Sequence, residues 1–131
     1  MLTSTIKFIT NIFQKRDSPK MVEEYKVAID VILGKLELIL SDGNHFAQSN
    51  VITNLRNYLE ENNYVAFLNE LHSVNMWGGA GAVWEVYFND GNLEKRFAQK
   101  MIKLIDLMKQ LGIDSYGSNS VRKLFFSQLN N

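Results

Sequence analysis

Apolar residues recur along this chain at spacings of three and four and almost nowhere alternate strictly, which predicts helices rather than strands. Leu2, Ile6, Ile9 and Phe13 would share one helix face, so residues 1–17 read as a short helix or an arm docked on the body. Ser18-Pro19 then has the chemistry of a helix start, with proline at the first helical position and Glu23 and Glu24 near the positive end of the dipole. From about Pro19 to Leu40, Met21, Tyr25, Ala28, Ile29, Ile32, Leu36, Ile39 and Leu40 form a broad stripe. Val27, Val31, Leu33 and Leu38 widen it, so this is expected to be the most buried helix. The turn residues Ser41-Asp42-Gly43-Asn44 end it.

Two shorter apolar patterns follow. Val51, Leu55, Tyr58 and Leu59 predict a helix closing at Glu61-Asn62-Asn63, and Val65, Leu68, Leu71 and Val74 predict another. After a glycine-rich stretch and the turn Asn89-Asp90-Gly91-Asn92 comes the clearest amphipathic helix. Leu93, Phe97, Met101, Leu104, Ile105, Met108 and Leu111 line its apolar face, Lys95, Arg96, Lys100, Lys103 and Lys109 lie away from it, and Gly112 is a suitable stop. Tyr116-Gly117-Ser118-Asn119 reads as a loop before a terminal helix carrying Val121, Leu124, Phe125 and Leu129. Only Ala82 to Phe88, with high β-propensity at Val83, Trp84, Val86, Tyr87 and Phe88, leaves room for a strand. The expected fold is all-α: one domain over residues 1–131, a bundle of five or six helices.

Composition narrows the functional classes. A chain of 131 residues, 46% hydrophobic and 21% charged, can bury one core. It has no cysteine, which removes disulfides, thiolate nucleophiles and cysteine metal sites. Thr3, Ser4, Thr5, Lys7, Thr10 and Asn11 interrupt any signal-peptide core, and no stretch is apolar enough to span a membrane, so a cytoplasmic location is expected. Formal net charge is zero but unevenly distributed: residues 21–94 hold eleven acids against Lys26, Lys35 and Arg56, whereas residues 95–131 hold seven cations against Asp106 and Asp114. Such asymmetry steers charged partners, unless folding brings the opposite charges together.

Motifs for chemistry are missing where they would be needed. In Asn75-Met76-Trp77-Gly78-Gly79-Ala80-Gly81-Ala82 no lysine or hydroxyl follows the glycines, as a P-loop requires, and Trp84 stands where a dinucleotide fingerprint needs a third glycine. A packing turn fits better, with Gly78-Gly79 feeding a following segment and Gly81-Ala82 admitting a neighbouring helix. Trp77 and Trp84 read either as core residues with their N–H groups on backbone carbonyls or as exposed anchors. His72 lacks a partner four residues away, and His45 follows a turn, so both read as structural. Adjacent acids such as Glu60-Glu61 diverge around a helix, and no GxSxG elbow occurs, so neither catalysis, a metal nor a cofactor is expected. The C-terminal cations, including Arg122 and Lys123, accompany no DNA-binding motif, and direct nucleic-acid binding is not expected.

The sequence WGGAGAVWEVYF, Trp77 to Phe88, resembles a motif of small helical bacterial proteins, in which a Gly-Gly-x-Gly turn precedes a small residue, apolar residues and an acid. These resemble immunity proteins of polymorphic or contact-dependent toxin systems. Gly78, Gly79 and Gly81 match the glycines and Glu85 the acid, while Ala82 and Trp84 depart from the more usual serine and smaller residue. The resemblance implies a non-enzymatic protein that binds and neutralises a cognate toxin domain, a nuclease among the candidates, by covering its active surface. The acidic excess complements a basic nuclease cleft. Asp42, Glu60, Glu61, Glu70, Glu85 and Asp90 are therefore the expected partner-binding residues, with Trp77 or Trp84 as apolar anchor. The alternative is a helical adaptor acting through homodimerisation or partner-helix docking, with Met101 and Met108 or the Leu2-to-Phe13 arm as interface.

Overall fold

A computed structural model describes residues 17–131; the Leu2-to-Phe13 pattern lies outside the described residues. Among the described residues seven α-helical segments follow one another: α1 (Ser18–Glu24), α2 (Lys26–Asp42), α3 (Phe46–Glu60), α4 (Tyr64–Leu71), α5 (Val74–Trp77), α6 (Gly91–Gln110) and α7 (Tyr116–Leu129). A 3-10 turn at Val83–Glu85 separates α5 from α6, and among the described residues there is no strand. Only Tyr25 interrupts the rod formed by α1 and α2, and hydrogen bonding passes through it: Tyr25 N–H reaches Met21 O and Ile29 N–H reaches Tyr25 O. Counted as one rod, these give an all-α domain of six helices.

The long helices α2, α3 and α6 stop in one way, through a left-handed residue just past the end. Asn44 (φ 64°), Asn62 (φ 58°) and Gly112 (φ 71°) hold these positions. The next N–H then returns to a carbonyl of the last turn: His45 to Leu40, Asn63 to Tyr58 and Ile113 to Met108, all within 2.9 Å. The starts of α4, α6 and α7 are capped by side chains, whereas α1, α2 and α3 have no side-chain cap. Asn63 accepts from Ala66 N–H, Asp90 from Asn92 and Leu93 N–H, and Ser115 forms a reciprocal capping box with Ser118.

α2 is the central strut, packed between α3 and α6, while α7 lies on α6 and α4 closes against α1 and α3. On α2 the buried stripe is Ile29, Leu33, Leu36, Ile39 and Leu40. Val27, Val31 and Leu38 are 77%, 51% and 58% exposed, so the broad apolar surface expected for this helix is only partly used. Tyr25 and Ala28 are exposed too. On α4, Phe67, Leu68 and Leu71 are buried, and Val65 faces solvent in place of the expected apolar role. The α6 stripe is as expected, with Phe97, Met101, Leu104, Ile105 and Met108 fully enclosed. That burial removes Met101 and Met108 as a dimer or adaptor interface, because a side chain filling the core offers no surface to a partner.

Gly34 lies midway along α2 beneath the Arg56 guanidinium of α3; a Cβ there would sit 3.3 Å from Arg56 Cζ. Arg56 Nε donates to Asp30 at 2.8 Å and Nη1 to Glu37 at 3.0 Å, so acids on either side of the glycine clasp it. Thr53 donates to the other Glu37 oxygen at 2.6 Å. The hydrogen bond and the charge of Asp30 raise the Arg56 pKa further, against the opposing effect of burial.

Candidate functional site

The Trp77-to-Phe88 segment is a strap from α5 to α6. Trp77 donates its indole N–H to Leu71 O at 2.7 Å, and its Cβ lies 3.0 Å from where a Cβ on Gly117 would be, so Gly117 lets α5 touch α7. Trp84 donates to Gly78 O at 2.5 Å. Both indoles are half-buried; Trp84 is tied to a carbonyl of the strap itself and Trp77 to the last residue of α4. Gly81 adopts φ +90°, which explains the glycine, but nothing packs within 4 Å of its Cβ position. The close approach expected at Gly81-Ala82 occurs instead at Gly43, where a Cβ would fall 2.5 Å from the Phe88 ring.

After the 3-10 turn the backbone is extended, Val86 having φ −75° and ψ 151°. Successive side chains then point to opposite sides. Phe88 turns inward, 4% exposed, its ring 5.0 Å from His45 and 5.2 Å from Phe97, and Phe97 continues to Phe125. Tyr87 turns outward and is 73% exposed. Its carbonyl oxygen lies 2.6 Å from His45 Nε2, which must carry the proton to make this bond. Gln48 holds the other end of the strap through Gly81 O at 3.0 Å. His72 does similar work elsewhere, its Nε2 lying 2.7 Å from Ile113 O. Among the described residues no group of three His, Asp or Glu side chains converges as a metal site.

The pinned strap gathers part of the expected partner-binding set. Glu85 in the 3-10 turn and Asp90 just ahead of α6 lie within three residues of exposed Tyr87, Asp42 ends α2 next to Gly43, whose Cβ position meets the Phe88 ring, and Phe46, 61% exposed, opens α3 after His45. Glu60 and Glu61 lie at the opposite end of α3, 15 residues long and so roughly 22 Å away. Glu70, on α4, is half-buried and accepts from Asn75 Nδ2 at 3.1 Å. Trp84 lines a cleft of about 190 Å³ with Glu85, Glu94, Leu124 and Gln128.

No family model, curated protein or solved structure matches this chain. The surface itself has to carry the functional reading. Tyr87 and Phe46 were not foreseen as anchors. The signal for Tyr87 was the run Val86-Tyr87-Phe88, whose extended backbone forces one aromatic out when the other goes in. Phe46 had no sequence signal, because one exposed aromatic in the first turn of a helix breaks no pattern.

Proposed function

We propose that this is an immunity protein that binds and neutralises a cognate bacterial toxin by covering its active or substrate-binding surface. The observation that carries the reading is the acidic, aromatic tip formed by Asp42, Phe46, Glu85, Tyr87 and Asp90 on a strap fixed from beneath. An exposed tyrosine on a strap that also carries Glu85 and Asp90 suits a basic, nuclease-type cleft: the ring is the anchor, and the acids supply complementary potential and rapid association. No catalytic group or cofactor is needed. Three of the expected acids belong to this tip; Glu60 and Glu61 are at the other end of α3, and Glu70 accepts a hydrogen bond from Asn75. The proposed contact therefore uses the first three, with Tyr87 rather than either tryptophan as principal anchor. The reading places the protein in the cytoplasm beside its target.

The test begins with the adjacent genes, one of which must encode a toxin domain. Calorimetric titration of that domain with Tyr87→Ala combined with Glu85→Lys and Asp90→Lys is expected to show affinity reduced by about 100-fold or more. Glu60→Lys with Glu61→Lys should bind as the parent does. A folded tip variant that binds and protects cells like the parent would overturn the assignment, as would the absence of any neighbouring toxin gene.

A further inference from the structure

A second charged surface is formed by α6 and α7. Arg96, Lys100 and Lys103 follow one side of α6 at spacings of four and three, and Lys35 of α2 adds its charge across the helix contact. Among the described residues none of these four makes an ion pair; the acids of this region are engaged elsewhere, Asp106 by Arg122 at 2.6 Å and Glu94 by Gln128 at 3.0 Å. Burial first, and then the charges of Lys103, Lys35 and Arg96, hold the Lys100 pKa below the ordinary lysine range. Beside Lys100 and Lys103 runs a groove of about 580 Å³ with an apolar floor of Ile102, Phe126 and Leu129. Phe126 is 52% exposed, and the Arg122 guanidinium lies 5.6 Å from its ring centre.

We propose that the groove between α6 and α7 docks an acidic amphipathic helix of a partner protein, its apolar residues on Ile102, Phe126 and Leu129 and its carboxylates on Lys100 and Lys103. Three observations select this occupant. Among the described residues the cations lack acidic partners, so the complementary surface is anionic. A trough between two packed helices has the shape that receives a third helix, with apolar residues at helical spacing as anchors. Arg122 covers one face of the groove's single aromatic ring and is already paired with Asp106, and the rest of the floor is aliphatic, a poor platform for stacked bases. The chain's own first 16 residues carry Lys7, Lys15 and Arg16 and no acid, so they do not supply the missing charge.

The probe is a synthetic helical peptide of about 18 residues, five turns, with leucine along one stripe and glutamate elsewhere. Controls are the same peptide with serine for leucine, the same with lysine for glutamate, and oligothymidylate of similar length. Binding is read by fluorescence anisotropy and by amide shifts of the labelled protein. The leucine–glutamate peptide should bind at least about tenfold tighter than every control, and Lys100→Glu with Lys103→Glu should weaken it by about tenfold or more. Phe126→Ala should weaken it as well, and shifts should concentrate between Gln99 and Lys103 and between Arg122 and Asn130. Equal binding of the serine peptide, tighter binding of oligothymidylate, or shifts centred elsewhere would each overturn the proposal. So would self-association of the protein alone that Lys103→Glu abolishes, because the occupant would then be a second copy. The shift map of the parent protein decides the matter should the double variant unfold.

Discussion

Replacing Gly43 with alanine tests the joint on which the strap depends. Gly43 has φ −85°, a conformation alanine accepts, so any effect must come from space. The added Cβ would lie 2.5 Å from Phe88 Cε1 and 2.7 Å from Cδ1, whereas carbons in contact settle at about 3.5–4.0 Å. The ring therefore has to retreat by roughly 1 Å. It cannot do so freely, since His45 and Phe97 flank it at 5.0 and 5.2 Å. Overpacking of this kind costs about 1–3 kcal/mol, a lowering of the melting temperature by roughly 4–12 °C for a chain of this size. Thermal and urea denaturation followed by circular dichroism measure it. Gly91→Ala is the control: it opens α6 in free space, and should be neutral or stabilising by up to about 1 kcal/mol. Pairing Gly43→Ala with Phe88→Leu should show strong coupling, the smaller side chain absorbing part of the clash. Additive losses, or a Gly43→Ala protein as stable as the parent, would refute the claim that Phe88 is wedged against this turn.

Substitutions at two further positions test electrostatics. Arg56→Met should cost about 1 kcal/mol, because the pair with Asp30 and Glu37 is partly exposed, and Arg56→Lys should recover little of it, since an ammonium cannot reproduce the fork; urea midpoints at low and high salt give the answer, and equal stability of all three proteins would refute a role for the clasp. Asp42 ends α2, where the helix dipole is negative, so Asp42→Asn should stabilise by about 0.3–1 kcal/mol and, under the proposed function, weaken toxin binding; a loss of stability measured by the same melts would show that the carboxylate is structurally required.

What the residues disclosed depended on how one-sided each helix is. α6 carries lysines and one arginine away from a stripe of large apolar residues, so its period alone predicts Phe97, Met101, Leu104, Ile105 and Met108 as core. α2 is apolar on nearly every side. Its period therefore cannot say which third faces water, and Val27, Val31 and Leu38 are outside while Leu33 and Leu36 are inside. α4 spans only eight residues, short enough that the Val65–Leu68 phase and the Phe67–Leu71 phase both fit. The candidate site was half legible. Summing charge along the sequence identifies an acidic stretch, but only the antiparallel course of α2 and α3 separates Asp42 from Glu60 and Glu61. The glycines misled for a related reason: Gly81 serves backbone conformation, and the close contact is made by Gly43, in a turn that looked ordinary.

The zero net charge conceals a segregation that helix electrostatics only partly explains. Asp90 and Glu94 at the start of α6 and Lys109 in its last turn agree with the dipole. That effect fades within the terminal turns, so it gives no reason for Arg96, Lys100 and Lys103 to crowd the middle of the helix, where each raises the cost of the others. Asp42 at the end of α2 and Glu60 at the end of α3 go against the dipole outright. Local rules broken without structural compensation are characteristic of residues kept for a partner. Along α6 the acidic tip at Asp90 and the cations at Lys100 are ten residues apart, about 15 Å. A basic cleft approaching this molecule is drawn to the tip and turned away from the α6–α7 groove, and an acidic helix experiences the reverse. Under the two proposals together, one small helical domain holds two partners of opposite charge, with Phe88 keeping the strap in place beneath the tip.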